Sequence, residues 1–254
     1  MKNVVFSLLP LMLIYSDCID SLGTKENTNT IQSDTVLIKY IPDIENAVDI
    51  LSKDSAIILK TFHSGSGREI LSVGFPEVIR WNEFQDVVEI ASNKLMYTKY
   101  GHEYADFSVG IFQMKPSFVE AIEHYCINYL PQEQKIMFKE IIVNDKDISK
   151  NRAIRLQRLE ERVWQLKYLQ LYWYVANHKF RSVRFKNQEQ RIRFYASAYN
   201  YGFTKPVDEI VNWQLYKIFP FGRNYTGQQL SYSDVSMAFF NTYFSQIFFK
   251  RKIK

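Results

Sequence analysis

Residues 150–178 read KNRAIRLQRLEERVWQLKYLQLYWYVANH, the longest helical pattern in the chain. Working outward, the same period recurs on both sides, with little of the strict alternation that marks half-buried strands. Upstream, Ile44, Val48, Leu51, Ile58 and Leu59 share the spacing, and Val87, Val88, Ala91 and Leu95 repeat it before Gly101, a plausible helix stop. Ser117 and Glu120 form a capping-box pattern that starts another helix just after Pro116. Downstream, residues 188–200 and 206–218 continue the helical reading. The pattern predicts a mainly α domain over residues 41–225, with residues 226–254 as a C-terminal helix packed on it.

At 254 residues and 46% hydrophobic content the chain can bury a sizeable core, which argues against disorder. Aromatics reach 16%, with 17 Tyr and 19 Phe, and such side chains fill cores or line grooves for flat or sugar-like ligands.

The N-terminus, MKNVVFSLLPLMLIYSDCID, carries one Lys and then an apolar run from Val4 to Tyr15. That run is short for a membrane span and suits the core of an export signal, so residues 1–20 are read as a signal peptide and 21–40 as a linker. Cys18 directly after the run leaves a lipid anchor open. Cys126 would then have no disulfide partner, and its helical spacing from Ala121 and Ile122 predicts a buried thiol. The tail SMAFFNTYFSQIFFKRKIK joins an aromatic run to Lys250, Arg251, Lys252 and Lys254, which allows a peripheral membrane contact; core spacing of Phe240, Phe244 and Phe248 favours packing on the domain.

Net charge is +5, with the excess concentrated between Lys146 and Arg193. Arg152, Arg155, Arg158 and Arg162 are spaced to share one exposed helix face, with Glu160 and Glu161 as local partners, and nucleic acid is not expected as a partner. There is no Gly-rich phosphate loop, no paired Cys or His spacing and no nucleophile elbow, and the four His are scattered. Neither a metal nor a cofactor is expected.

What remains is acid catalysis by a carboxylate. Glu77 lies among Phe75, Pro76, Val78, Ile79 and Trp81, apolar surroundings that raise a carboxyl pKa and keep it a proton donor near neutral pH. A Glu directly after Pro also fits the first turn of a helix, where it would favour the helix dipole.

Three segments in order bear on that choice: Glu77 at the end of a Gly-containing apolar helix, then SVGIFQMKP, then ASAYNYG. This set resembles the soluble lytic transglycosylases and goose-type lysozymes of the lysozyme-like superfamily over about residues 55–215. The resemblance implies a lysozyme-like helical domain with a glycan-binding groove, and it implies Glu77 as the catalytic acid. Gly110-Ile111-Phe112-Gln113 matches the family's turn, so Gln113 would line the sugar groove, Gly110 would let the backbone approach the glycan, and Ser108 would add a hydroxyl. Ala198-Tyr199-Asn200-Tyr201-Gly202 matches its later segment, so Tyr199 would point at the acid and Asn200 would anchor the groove wall. Tyr199 as a core residue, and Asn200 with Gly202 as a helix end, are the structural alternatives.

The gap from Glu77 to Gln113 exceeds the family's usual spacing, and Glu83, Glu89 and Glu103 in the intervening segment are alternative acids. The implied activity is cleavage of the peptidoglycan bond between N-acetylmuramic acid and N-acetylglucosamine by an exported enzyme. The alternatives are a muramidase with Asp106 or another acid as second carboxylate, and a non-catalytic peptidoglycan-binding envelope protein.

Overall fold

A computed structural model describes residues 37–62, 65–83 and 87–249 of the chain. The expected signal peptide with Cys18, most of the linker, and the terminal cluster of Lys250, Arg251, Lys252 and Lys254 lie outside the described residues.

The chain is mainly helical, as the periodicity predicts. Helix α1 (Ile41–Lys53) begins with Pro42 in its first turn and buries Ile44, Ala47, Val48, Ile50 and Leu51. Tyr40, within the expected linker, is itself buried. A short α2 (Ser55–Thr61) leads into α3 (Gly67–Glu83), and α4 (Val87–Tyr100) stops at Gly101, whose φ is 97°. Then follow α5 (Pro116–Tyr129), α6 (Gln132–Met137), α7 (Ile148–Glu160), α8 (Arg162–Lys179), α9 (Gln188–Tyr201) and α10 (Val207–Trp213).

The long pattern over 150–178 is therefore two helices, broken at Glu161 in an extended conformation. Only α8 is central. It buries Leu166, Tyr168, Leu169, Leu171, Tyr172, Trp173, Val175 and Ala176, and it packs on α2, α3, α5 and α7. Buried on most of its circumference, it shows only a weak amphipathic stripe.

Three expectations are corrected. The arginine face is not a solvated one: Arg155 bonds Glu123 at 2.8 Å, Arg158 reaches the carbonyls of Ile141 and Glu140, Arg162 pairs with Asp54, and Arg152 reaches the Lys99 carbonyl. Periodicity identifies the face of a helix, but here distant chain segments cover it and the arginines staple them down. Glu160 pairs with Lys94 of α4.

The capping box is also absent. Pro116 opens α5, while Ser117 donates its N–H and hydroxyl to Asp106 at 3.0 and 2.8 Å, and Glu120 accepts from Tyr97 and meets His102. Asp106, eleven residues upstream, does the capping work from outside the helix.

Finally, the helical reading of 206–218 ends at Trp213. Strand β1 (Lys217–Phe219) pairs antiparallel with β2 (Leu230–Ser231), so the expected C-terminal helix starts as a strand. It continues as α11 (Tyr232–Ala238), a π-helical turn (Phe239–Tyr243) and α12 (Gln246–Phe249). The wider turn shifts the inward frame, so Phe239 and Ile247 are buried where Phe240, Phe244 and Phe248 are only half-buried. This segment belongs to the core: the Phe239 ring stacks on Phe75 at 3.9 Å, and α11 packs on both α3 and α9.

Candidate active site

Glu77 sits in the last two turns of α3, well inside the helix, which excludes the first-turn role that Pro76 suggested. Pro76 has no N–H for the helical ladder, so one ladder hydrogen bond is missing at the residue before the glutamate while the helix runs on to Glu83. Nearby, Gly74 lets α3 approach its neighbours closely; a Cβ there would stand 3.0 Å from Phe112 and 3.1 Å from Leu169. The carboxylate is thereby pressed into the junction of α3, α9 and α11.

Glu77 is 4% exposed. Its Oε1 accepts from Asn200 Nδ2 at 3.2 Å, and its Oε2 accepts from Arg80 Nη1 at 3.2 Å, one helical turn on. The Tyr232 hydroxyl, which donates to the Val73 carbonyl, also lies against the carboxyl group. Burial raises the Glu77 pKa above the ordinary glutamate value, and it outweighs the opposing pull of Arg80, Asn200 and Tyr232.

Asn200 is itself held, since its Oδ1 accepts from Trp213 Nε1 at 3.0 Å. That bond fixes which end of the amide faces Glu77. Trp213 in turn stacks on Tyr201 with ring centroids 4.4 Å apart. Beside this assembly opens a cleft of about 430 Å³ lined by Arg80, Asn200, Trp213, Tyr216, Phe219 and Tyr232, among others. Flat aromatic walls with a few fixed polar groups suit a ring-shaped polar ligand.

Asn200 therefore bonds the acid directly. Tyr199 is close enough for its charge to couple to that of Glu77, but its hydroxyl donates to the Phe112 carbonyl at 2.7 Å. It ties α9 to the turn at 110–113, and its ring packs edge-on against Phe118 and Tyr172.

That turn is closed by the pairing of Val109 with Met114, and it takes positive φ at Gly110 (71°) and Gln113 (47°). Gln113 folds back on the turn, its Nε2 donating to the Gly110 carbonyl at 2.8 Å. A Cβ at Gly110 would fall 2.2 Å from the Gln165 amide, whose Oε1 accepts the Phe112 N–H. The glycine here makes room for Gln165. Ser108 is exposed, and Ser108, Gly110 and Gln113 are not among the residues lining the cleft; nor is Glu77 itself, which stands behind its partners Arg80, Asn200 and Tyr232 in that lining.

Of the alternative acids, Glu103 is 83% exposed beside His102, Glu83 closes α3, and Glu89 lies in the first turn of α4. Asp106 is engaged by Ser117 and Lys115. Arg80, Trp213 and Tyr232 were missed in the sequence. Arg80 had a signal, the i,i+3 spacing to Glu77; Tyr232 had none, because only the fold brings α11 against α3.

Cys126 is buried, and burial pushes its thiol pKa up to about 11. Among the described residues no three or more His, Cys, Asp or Glu are placed to hold a metal ion, and no helix is long and apolar enough to cross a membrane. Comparison of the chain with family models, with curated proteins and with solved structures found no match.

Proposed function

We propose that this protein is an exported lytic transglycosylase with a lysozyme-like helical domain, cleaving the β-1,4 bond between N-acetylmuramic acid and N-acetylglucosamine in peptidoglycan. The observation that carries the reading is the Glu77–Asn200 hydrogen bond beside an aromatic cleft. The two residues lie in separate segments, 123 positions apart, that belong to the same resemblance.

In this reading Glu77, its pKa raised by burial, takes up a proton and donates it to the glycosidic oxygen as the bond breaks. The sugar passes through an oxocarbenium-like state. Glu77, now a carboxylate, takes the proton of the muramoyl 6-hydroxyl as that oxygen attacks the anomeric carbon, giving a 1,6-anhydro end. Asn200 orients the carboxyl group throughout. A hydrolase would hold a second carboxylate across the scissile bond; among the described residues that line the cleft, none is an Asp or Glu. That lining also leaves out Glu77 itself, so the preference for internal attack over a muramidase rests on the resemblance. The apolar run at residues 4–15 supports delivery to the cell wall.

The test is digestion of purified peptidoglycan by wild type and Glu77→Gln, read by mass spectrometry of the products. Fragments lighter by one water, absent with the variant, are expected. Reducing ends would mean hydrolysis, and binding to the sacculus without any product would place the protein among non-catalytic wall binders.

A further inference from the structure

The arrangement around Glu77 is that of an ionised carboxylate. Asn200 donates to one oxygen and Arg80 to the other, and a guanidinium has five donors and no acceptor. A proton on Oε2 would point at another donor. As long as Arg80 stays in place, Glu77 has no free oxygen from which to donate a proton to a substrate.

Arg80 is nevertheless built to move. Its side chain is 39% exposed and lines the cleft, so it has water and space on one side. Its Nε is buried without a hydrogen-bond partner, which leaves the guanidinium incompletely satisfied where it stands. A second cation lies beside the cleft, over two of its lining rings, without being part of the lining. The Arg223 guanidinium sits 5.3 Å from the Tyr216 ring centroid and 5.7 Å from that of Trp213, and it has no ion-pair partner among the described residues. Arg80 in the lining and Arg223 over two of its aromatic walls, with no Asp or Glu in that lining, leave positive charge beside the ligand space.

We infer that Arg80 and Arg223 form a carboxylate-binding subsite, and that a carboxylate on the bound glycan draws the Arg80 guanidinium off Glu77, whose buried carboxylate then takes up a proton from water and becomes the acid. This rests on the proposed glycan-cleaving function. One arginine–carboxylate pair is exchanged for another, so the displacement is close to balanced, and a bidentate ligand carboxylate engages donors that Glu77 leaves unused. A neutral polymer of N-acetylglucosamine offers no such exchange. The subsite thus couples recognition of an acidic glycan to release of the acid. Two carboxylates in the wall have this chemistry: the lactyl group of muramic acid where it carries no peptide, and the free carboxylates of the stem peptide.

The test is titration calorimetry of the full protein with three ligands of equal sugar length: a chitin oligomer, a peptide-free muramic-acid-containing strand, and its peptide-bearing form. At least one acidic ligand should bind about tenfold or more tighter than the chitin oligomer. Arg80→Gln should erase that preference by weakening the acidic ligand alone, and Arg223→Gln, at an exposed position, should reduce it without touching the fold. Preference for the peptide-free strand assigns the lactyl group, and preference for the peptide-bearing strand alone assigns the stem. Equal binding of all three by wild type, or preference retained in both variants, overturns the subsite while leaving the proposed function standing. Failure of every glycan to bind overturns both.

Discussion

Replacing Glu77 with Gln removes a buried negative charge at the junction of α3, α9 and α11 while keeping the side-chain shape. Asn200 is locked by Trp213, so the Gln oxygen takes the place of Oε1 and its NH₂ group faces Arg80. Arg80 is 39% exposed and turns to water, so no cation is stranded. Above the ordinary glutamate range the wild-type protein must hold a desolvated carboxylate, and the variant is freed of that cost, about 1–3 kcal/mol. The sign follows from linkage. Burial raises the folded pKa above 4.5, so the folded chain binds the proton more tightly than the unfolded chain. This contribution is complete below pH 4.5 and is lost as pH rises through the native pKa. Thermal unfolding of both proteins at pH 4 and pH 8 isolates it by difference. The variant should gain stability relative to wild type between the two, with Tm moving roughly 2–4 °C per kcal/mol, even as glycan cleavage disappears. A variant less stable than wild type at pH 8, or a difference independent of pH, would refute the claim that burial dominates at Glu77.

Tyr199→Phe strands the Phe112 carbonyl and unties α9 from the turn, and denaturant unfolding should show a loss of about 1–3 kcal/mol. Gly110→Ala meets both a positive φ and the Gln165 amide; it should destabilise by more than the roughly 1–2 kcal/mol of the backbone term, with Gln165→Ala in the same chain restoring only the steric part. Arg155→Met leaves Glu123, 2% exposed, with only Tyr168 and the Val143 N–H, and about 3–5 kcal/mol should be lost at neutral pH. Urea denaturation of Arg155→Met and of the double variant with Glu123→Leu separates the stranded charge from lost packing, since the double variant should recover most of the loss.

Helices were legible because a buried stripe repeats along each one, and the stops at Gly101 and Gly202 fall where the backbone takes positive φ. The break at Glu161 was not legible, since a helical period runs through it unchanged in both flanking segments. Nor was the fate of the arginines, whose partners Glu123, Asp54 and the Ile141 carbonyl lie 17 to 108 positions away. Apolar neighbours marked Glu77 correctly as a buried carboxyl. The resemblance gave Gly110 and Gln113 a place in the groove, whereas here they serve the turn's own geometry and the seating of Gln165.

By itself the amino-acid sequence determined the helical class and the burial of Glu77 and Cys126, because these depend on local period and local polarity, whereas Asn200 entered only through the resemblance. Tertiary structure alone decided which groups touch the carboxyl. Arg80 is one turn away, Asn200 is 123 residues away, and Tyr232 arrives on a C-terminal segment that the sequence presented as an appended helix. Local polarity acts over a few bonds and can be read along the chain. The protonation state of a buried acid depends on charges and donors within a few ångströms in space, and only the folded packing of α3, α9 and α11 sets those distances.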